Sequence, residues 1–350
     1  MFDIKFYQKI YNFKQEILSN SKLYTKDEIN TIFDTFISQY PTIYNIETTN
    51  VCNMTCSMCP RTTLMNREIG TMDIELFKRI IDQIDPWSTE DIEQWTNFVI
   101  KNYKVLPTDM SENHFFLYVI STALTLHGYG DPLLDKTISE KIKLLTERNI
   151  PSYFSCNPSN INIDKLKEIM SNGLTYLKFS IDSINEDRSK NIRGNQYNLS
   201  KSYKNILYLL EEIKKSNYTT KIIICMIDLD EQSKEEFKVL QNDFKNEYVY
   251  LKSKDNNWLN DGENNNKSIH WNEFCQFPWT SMSIQWDGSI QMCPECWNSD
   301  FNIGNANDKS LYDIWNNLKY YGYRFMHFDN EICIKKCKDE CDMKLIGDYI

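Results

Sequence analysis

No stretch of this 350-residue chain is apolar for long enough to span a membrane; the longest such run, around Phe115 to Leu126, falls well short of the roughly 20 residues a spanning helix needs. Concentrated basic charge is also missing. The chain has 39 Lys and Arg residues against 49 Asp and Glu, a formal charge of −10, and no Lys/Arg run, which argues against nucleic acid or an anionic membrane as a partner. The opening residues MFDIKFYQKIYNFKQEIL carry charges through their apolar positions and lack the apolar core of a signal peptide, so a cytoplasmic protein is expected. The four histidines are scattered, and His127, at the end of an apolar run, reads as packing rather than as a ligand. No repeat is visible. Cysteine, in contrast, is plentiful. Nine of the 11 cysteines fall in two groups, Cys52, Cys56 and Cys59, then Cys275, Cys293, Cys296, Cys333, Cys337 and Cys341. In a reducing compartment such clusters point to metal or redox chemistry rather than to disulfides.

Residues 1–42 read as two helices, with Phe6, Ile10, Phe13 and Ile17 on one face. From residue 43 strands alternate with helices: strand 43–46, helix 72–84, strand 115–127, helix 137–148, strand 150–156, helix 164–171, strand 176–182, helix 200–216, strand 221–227, helix 233–246 and strand 248–252. This rhythm predicts an α/β fold built on a partial parallel (β/α)6 barrel, with the chemistry at the strand-end loops. Strand 115–127 is expected from its nearly continuous apolar run. Residues 86–113 are too long for a plain connection and read as an inserted helical element. The Asn-rich stretch 255–270 reads as a linker. Beyond it, 281–285 and 289–292 form a hairpin around Asp287-Gly288, a helix is expected near 309–321, and a cysteine-rich tail completes a small α+β domain over 271–350. The barrel domain would occupy 43–254.

Cys52-x3-Cys56-x2-Cys59 follows the first strand directly. Three thiolates at this spacing can hold three corners of a 4Fe–4S cube and leave the fourth iron open to a small chelate, whereas zinc sites usually pair one C-x2-C with another downstream. The loop Ile46-Glu47-Thr48-Thr49-Asn50-Val51-Cys52-Asn53-Met54-Thr55-Cys56-Ser57-Met58-Cys59-Pro60 resembles the signature of radical S-adenosylmethionine (SAM) enzymes. His127-Gly128-Tyr129-Gly130-Asp131-Pro132 resembles that family's Gly-Gly-Glu-Pro segment, with Asp in place of Glu. Ser155-Cys156-Asn157, Ser180-Ile181-Asp182-Ser183 and Arg193-Gly194 stand in the order of its later SAM contacts. The resemblance implies that Gly128, Gly130 and Asp131 receive the SAM amino group through their backbone. It further implies that Asn157, Ser180 and Arg193 hold the ribose or carboxylate, and that Met58 lies beside the adenine.

The second group resembles the SPASM/twitch extension of a subset of these enzymes: Cys275-x12-Gly288-x4-Cys293, then Ile303-Gly304-Asn305-Ala306 and Ser310-Leu311-Tyr312-Asp313-Ile314-Trp315. The longer C-x2-C-x5-C-x3-C run of the full pattern is replaced by Cys333-x3-Cys337-x3-Cys341. The six cysteines of this group fit one auxiliary 4Fe–4S cluster better than two, which would ask for about eight. Cys275 and Cys293 with Cys333, Cys337 and Cys341 are its candidate ligands, and Cys296 is a further ligand or a free thiol. The alternative is a zinc ribbon through Cys293-x2-Cys296 and Cys333-x3-Cys337. Cys156 and Cys225 read as core residues.

The resemblance implies two iron–sulfur clusters, SAM and an external one-electron reductant of the flavodoxin or ferredoxin type. An auxiliary cluster suits removal of an electron from a substrate radical, hence net oxidation of a small alcohol, sugar or cyclitol. Epimerisation or crosslinking of a ribosomal peptide is the alternative, and a non-catalytic iron–sulfur or zinc scaffold is a third reading from another class.

Overall fold

The computed structural model describes residues 1–19, 23–253 and 277–326. Its framework is one nine-stranded sheet in the order β6-β5-β4-β3-β2-β1-β7-β8-β9. Strands Ile43–Ile46 (β1), Leu124–Thr125 (β2), Ser152–Cys156 (β3), Tyr176–Ser180 (β4), Lys221–Asp228 (β5) and Tyr248–Ser253 (β6) run parallel. Met282–Ile284 (β7) joins β1 in parallel, and Ser289–Gln291 (β8) and Asn302–Asn305 (β9) follow antiparallel. The two ends of the sheet do not meet, so this is an open partial (β/α)6 barrel continued by a hairpin. Parallel neighbours need a crossover, and helices supply it. Gly288 makes the hairpin turn at φ +85°, a conformation that a residue without Cβ adopts freely.

The sheet has two distinct faces. Outward residues Leu124, Leu126, Phe154, Leu177, Phe179, Ile222 and Ile224 pack in one core with the helices that cover them. Helix Ile74–Ile81 buries Leu76, Phe77, Ile80 and Ile81 there, and the Asp73 carboxylate accepts from Glu75 N to cap it. Inward residues Tyr153, Ile223, Cys225 and Tyr250 meet Phe2, Tyr7, Trp95, Val99 and Tyr103 in a second core. Trp95 belongs to helix Thr89–Tyr103, within the 86–113 element, and a Ser88/Asp91 capping box starts that helix. Burying one such side chain stabilises by about 1.5–3 kcal/mol.

One expected strand is mostly not a strand. Residues Glu112–His114 and Phe115–Ile120 are helical, the latter wound wide enough for Ser121 N to donate to Phe116 O, and only Leu124–Thr125 is extended. The segment is apolar all round because Phe115, Leu117, Val119 and Ile120 are buried, and Trp95 Nε1 donates to Leu117 O at 2.6 Å. A run without period cannot distinguish that environment from a central strand. The expected helix 309–321 is two helices, Leu311–Trp315 and Leu318–Met326, because the Asn317 carboxamide accepts from Tyr320 N at 2.7 Å and restarts the turn. The linker 255–270 lies outside the described residues, as do Cys275, Cys333, Cys337 and Cys341. No helix among the described residues is long and apolar enough to cross a membrane.

Candidate functional site

The loop 47–59 leaves the C-terminal end of β1, and its backbone is pinned from two directions. Thr55 N donates to Arg193 O at 3.2 Å and Ser57 N to Ile192 O at 2.9 Å. Arg61 Nε donates to Asn50 O at 2.7 Å. Within this frame Cys56 is buried and Cys52 and Cys59 are half-buried. Burial and the neighbouring cysteines raise the pKa of Cys52 and push that of Cys59 up to about 11, so three free thiolates here would repel each other. Arg193 Nη1 stands 3.8 Å from Cys56 Sγ. Among the described residues no three His, Cys, Asp or Glu side chains gather closely enough to ligate one metal ion. A cube takes each thiolate at a different iron.

The loop 127–135 packs directly on this one. Asp131 N donates to Val51 O at 2.9 Å, and a Cβ at Gly130 would overlap the Thr49 carbonyl, so only glycine allows the approach. The Asp131 carboxylate is occupied: it accepts from Leu133 N at 3.0 Å and from Asn160 Nδ2 at 2.6 Å. Burial nonetheless raises its pKa. Asn157 is buried; its Oδ1 accepts from Ser159 N at 2.9 Å, which fixes the carboxamide and leaves Nδ2 with no acceptor among the described residues. Ser180 Oγ lies 3.4 Å from Ser155 Oγ, and Met58 is buried. Arg193 forms an ion pair with buried Asp182, a partner that motif order alone does not reveal.

Two of the expected auxiliary cysteines are described, and they face the first loop. Cys293 is half-buried and Cys296 buried. Tyr129 stands between the groups: its hydroxyl donates to Pro294 O at 2.9 Å, and burial together with Glu295, Cys293, Cys296 and Cys59 drives its pKa upward. The segment after the first loop is stapled across the same seam. Asn66 N donates to Asn298 Oδ1 at 2.8 Å, Asn298 Nδ2 to Leu64 O at 2.9 Å and Trp286 Nε1 to Glu68 O at 3.2 Å.

Several interior polar residues escape sequence reasoning. Glu47 and Arg67 form a nearly buried ion pair of 2.7 Å; Glu47 falls inside the motif without a role, and nothing in the sequence marks Arg67. Lys178 points inward on β4 beneath the rings of Phe115, Tyr153 and Tyr250, with Nζ 4.5 Å from the Phe115 centroid. Burial lowers its pKa, and burial with the nearby Lys178 charge drives His127 down to about 3. His127 therefore stays neutral, its Nδ1 accepting from Ser155 N at 3.2 Å, in line with a packing role. A cavity of about 620 Å³ opens near the N-terminal ends of β4 to β6, beside Tyr176, Lys221 and Tyr248. It is remote from the cysteines, and its His114 is already engaged by Tyr248 Oη and Pro107 O.

Comparison with known proteins agrees with this geometry. Residues 99–240 match the radical SAM superfamily, and residues 275–342 match the SPASM iron–sulfur cluster-binding domain. The first match begins beyond Cys59, so the loop's assignment rests on its own spacing and position. No curated protein matches the sequence. Among solved structures, SuiB of Streptococcus suis bound to S-adenosylmethionine is similar at 14% identity over 91% of this chain and 78% of that one, TM-score 0.53. BtrN in complex with AdoMet and 2-DOIA is similar at 18% identity over 82% and 87%, TM-score 0.46. Native anSMEcpe with AdoMet and the Cp18Cys peptide is similar at 14% identity over 84% of each chain, TM-score 0.49. The family brings with it a SAM-binding 4Fe–4S cluster, SAM and auxiliary iron–sulfur binding. This chain belongs to the radical SAM superfamily and carries a SPASM iron–sulfur domain in its C-terminal part.

Proposed function

We propose that this chain is a radical SAM dehydrogenase acting on a small alcohol, sugar or cyclitol. Cys52, Cys56 and Cys59 would hold the SAM-binding cluster. SAM would lie along Met58, Gly128, Gly130, Asp131, Asn157, Ser180 and Arg193. Cys275 and Cys293, with two of Cys333, Cys337 and Cys341, would hold the auxiliary cluster, and an external flavodoxin- or ferredoxin-type protein would supply electrons. When bound, these groups supply a hydrogen-abstracting radical and an electron acceptor. The observation that carries the reading is Tyr129, which bridges the two segments: its N donates to Glu47 Oε1 at 3.0 Å and its hydroxyl to Pro294 O at 2.9 Å.

The chain's own residues prepare that space. Asn157 offers an oriented Nδ2 donor, the kind of group that holds a ribose hydroxyl or carboxylate. The Arg193 cation lies against Cys56 and suits a loop that carries several thiolates. The contacts of Asn66, Asn298 and Trp286 tie the two segments together across the seam. A small substrate is favoured over a peptide because the segment ahead of β1 is committed to packing: Phe6, Ile10, Ile29 and Phe33 form one cluster with Trp279.

Arg193→Ala should weaken SAM binding roughly 10- to 100-fold, the value of about 1.5–3 kcal/mol for a contact to a charged group, with iron content retained. An unchanged Kd by equilibrium dialysis would mean that Arg193 serves Asp182 and Cys56 alone. The reaction itself is tested in deuterated water. In oxidation the product gains no C–D bond, and Cys275→Ala loses product while SAM cleavage continues. Deuterium on an inverted carbon of unoxidised product, read by mass spectrometry, would establish hydrogen return by a thiol such as Cys296 and sink the dehydrogenase reading.

A further inference from the structure

Along β3 to β6 the inward face of the sheet is largely aromatic and aliphatic, but along β2, β1, β7 and β8 it is polar. Register explains the pattern. Thr125 pairs with Asn45, Asn45 with Ser283 and Ser283 with Gln291, so these four side chains form one row across four strands. Their outward neighbours Leu124, Ile46, Ile284 and Ile290 belong to the apolar core. All four row members are buried: Asn45 is 7% exposed, Thr125 4%, Ser283 5% and Gln291 1%. Such positions normally carry apolar residues or polar residues with partners, since an unpaired buried polar group costs about 1–3 kcal/mol.

Here partners are missing among the described residues. Asn45 Oδ1, Thr125 Oγ1, Ser283 Oγ and both Gln291 carboxamide atoms have none, and neither do Glu47 Oε2 and Arg67 Nη1. Apart from Thr125, these residues line a single small cavity of about 10 Å³, room for about one water or one hydroxyl group. Gly128 and Tyr129 border it on one side and Cys293 and Cys296 on the other. Its walls thus come from both the SAM motif and the auxiliary segment.

We propose that this row is the substrate's recognition site and that it receives a hydroxyl group of a neutral polyol. The proposal rests on the dehydrogenase reading and adds the substrate's charge and the residues that select it. The chemistry of the wall sets the class. Asn45 Oδ1, Glu47 Oε2 and Gln291 Oε1 accept; Arg67 Nη1 and Gln291 Nε2 donate; the hydroxyls do either. A hydroxyl, which both donates and accepts, satisfies a mixed wall of this kind. Among the described residues the only charges lining the cavity, Glu47 and Arg67, pair with each other, so a phosphate or carboxylate would meet no net positive charge there.

The test uses the anaerobically reconstituted, SAM-loaded full chain and two near-isosteric variants, Ser283→Ala and Gln291→Met. Groups kept for a ligand are a liability without it, so each variant should melt at or above the wild-type temperature when no polyol is present. A panel of myo-inositol, scyllo-inositol, glucose and glucose 6-phosphate is then added. At least one neutral member should raise the wild-type Tm through preferential binding and bind about tenfold more weakly to each variant. The phosphate should give no shift.

Variants that melt several degrees lower and keep wild-type polyol affinity would show a structural row and overturn the proposal. So would a panel in which only the phosphate binds, or in which nothing does. The dehydrogenase reading fails separately: a bound polyol that is turned over with hydrogen return refutes oxidation and leaves this recognition site standing.

Discussion

Replacing Cys52, Cys56 and Cys59 together with alanine should lower the iron content of the reconstituted chain from about eight atoms to about four, one cube's worth, and abolish SAM cleavage completely. The three thiols lie on one loop whose backbone is held by Arg193, Ile192 and Arg61, so their removal deletes the ligands without dismantling a strand. Cys156→Ala and Cys225→Ala serve as controls. Both thiols are buried in the sheet's packing, Cys156 among the outward residues and Cys225 among the inward ones, and neither change should alter the iron count. Iron and labile sulfide assays with high-performance separation of deoxyadenosine decide the matter. Native protein holding stoichiometric zinc and no iron would refute both cluster assignments at once.

The largest stability effect is expected at Lys141. Its ammonium is fully buried with the Asp135 carboxylate, Nζ to Oδ2 2.7 Å, and donates a second bond of 2.7 Å to Met72 O. Lys141→Met leaves a buried carboxylate without its cation, which costs about 3–5 kcal/mol. Lys141→Met combined with Asp135→Asn should recover much of that loss, because no uncompensated charge remains. The pair also has a functional consequence. Asp135 ends the turn that follows Gly128 to Asp131, and Lys165 clamps the same turn by donating to Leu133 O and Asp135 O at 2.7 Å each. Loosening it should weaken SAM binding as well as lower the urea midpoint. A single variant that loses less than about 1 kcal/mol would contradict the buried pair.

What the sequence disclosed depended on period and punctuation. β1 emerged with its observed bounds because Ile43 to Ile46 is followed at once by a loop motif. Helix Leu199–Ser216 showed its stripe of Ile206 and Leu210, and Gly288 marked the hairpin. Strand 115–127 misled for a physical reason: an all-round buried helix and a doubly buried strand share the same composition. The sequence singled out candidates where residue types are chemically distinctive, as for Cys52, Cys56, Cys59, Cys293 and the Gly128-to-Asp131 motif. It was illegible where the information lies in register. Asn45, Thr125, Ser283 and Gln291 are ordinary polar residues until strand pairing aligns them, and Arg67 acquires meaning only through Glu47. Nor did order along the chain reveal that Arg193 is already paired with Asp182.

The parallel pairing of β1 with β7 bears on how the protein is made. β1 leaves the ribosome well before β7, and one of its edges stays without a partner until the chain has grown past Met282. Contacts between such distant segments form late in folding. During synthesis the Cys52–Cys59 loop therefore hangs from a half-supported strand, open to solvent, oxygen and whatever delivers iron. The closing strand arrives before Cys333, Cys337 and Cys341. Cluster delivery and strand closure thus compete in time, and a nascent chain that closes before it is loaded would offer a buried Cys56 and half-buried Cys52 and Cys59.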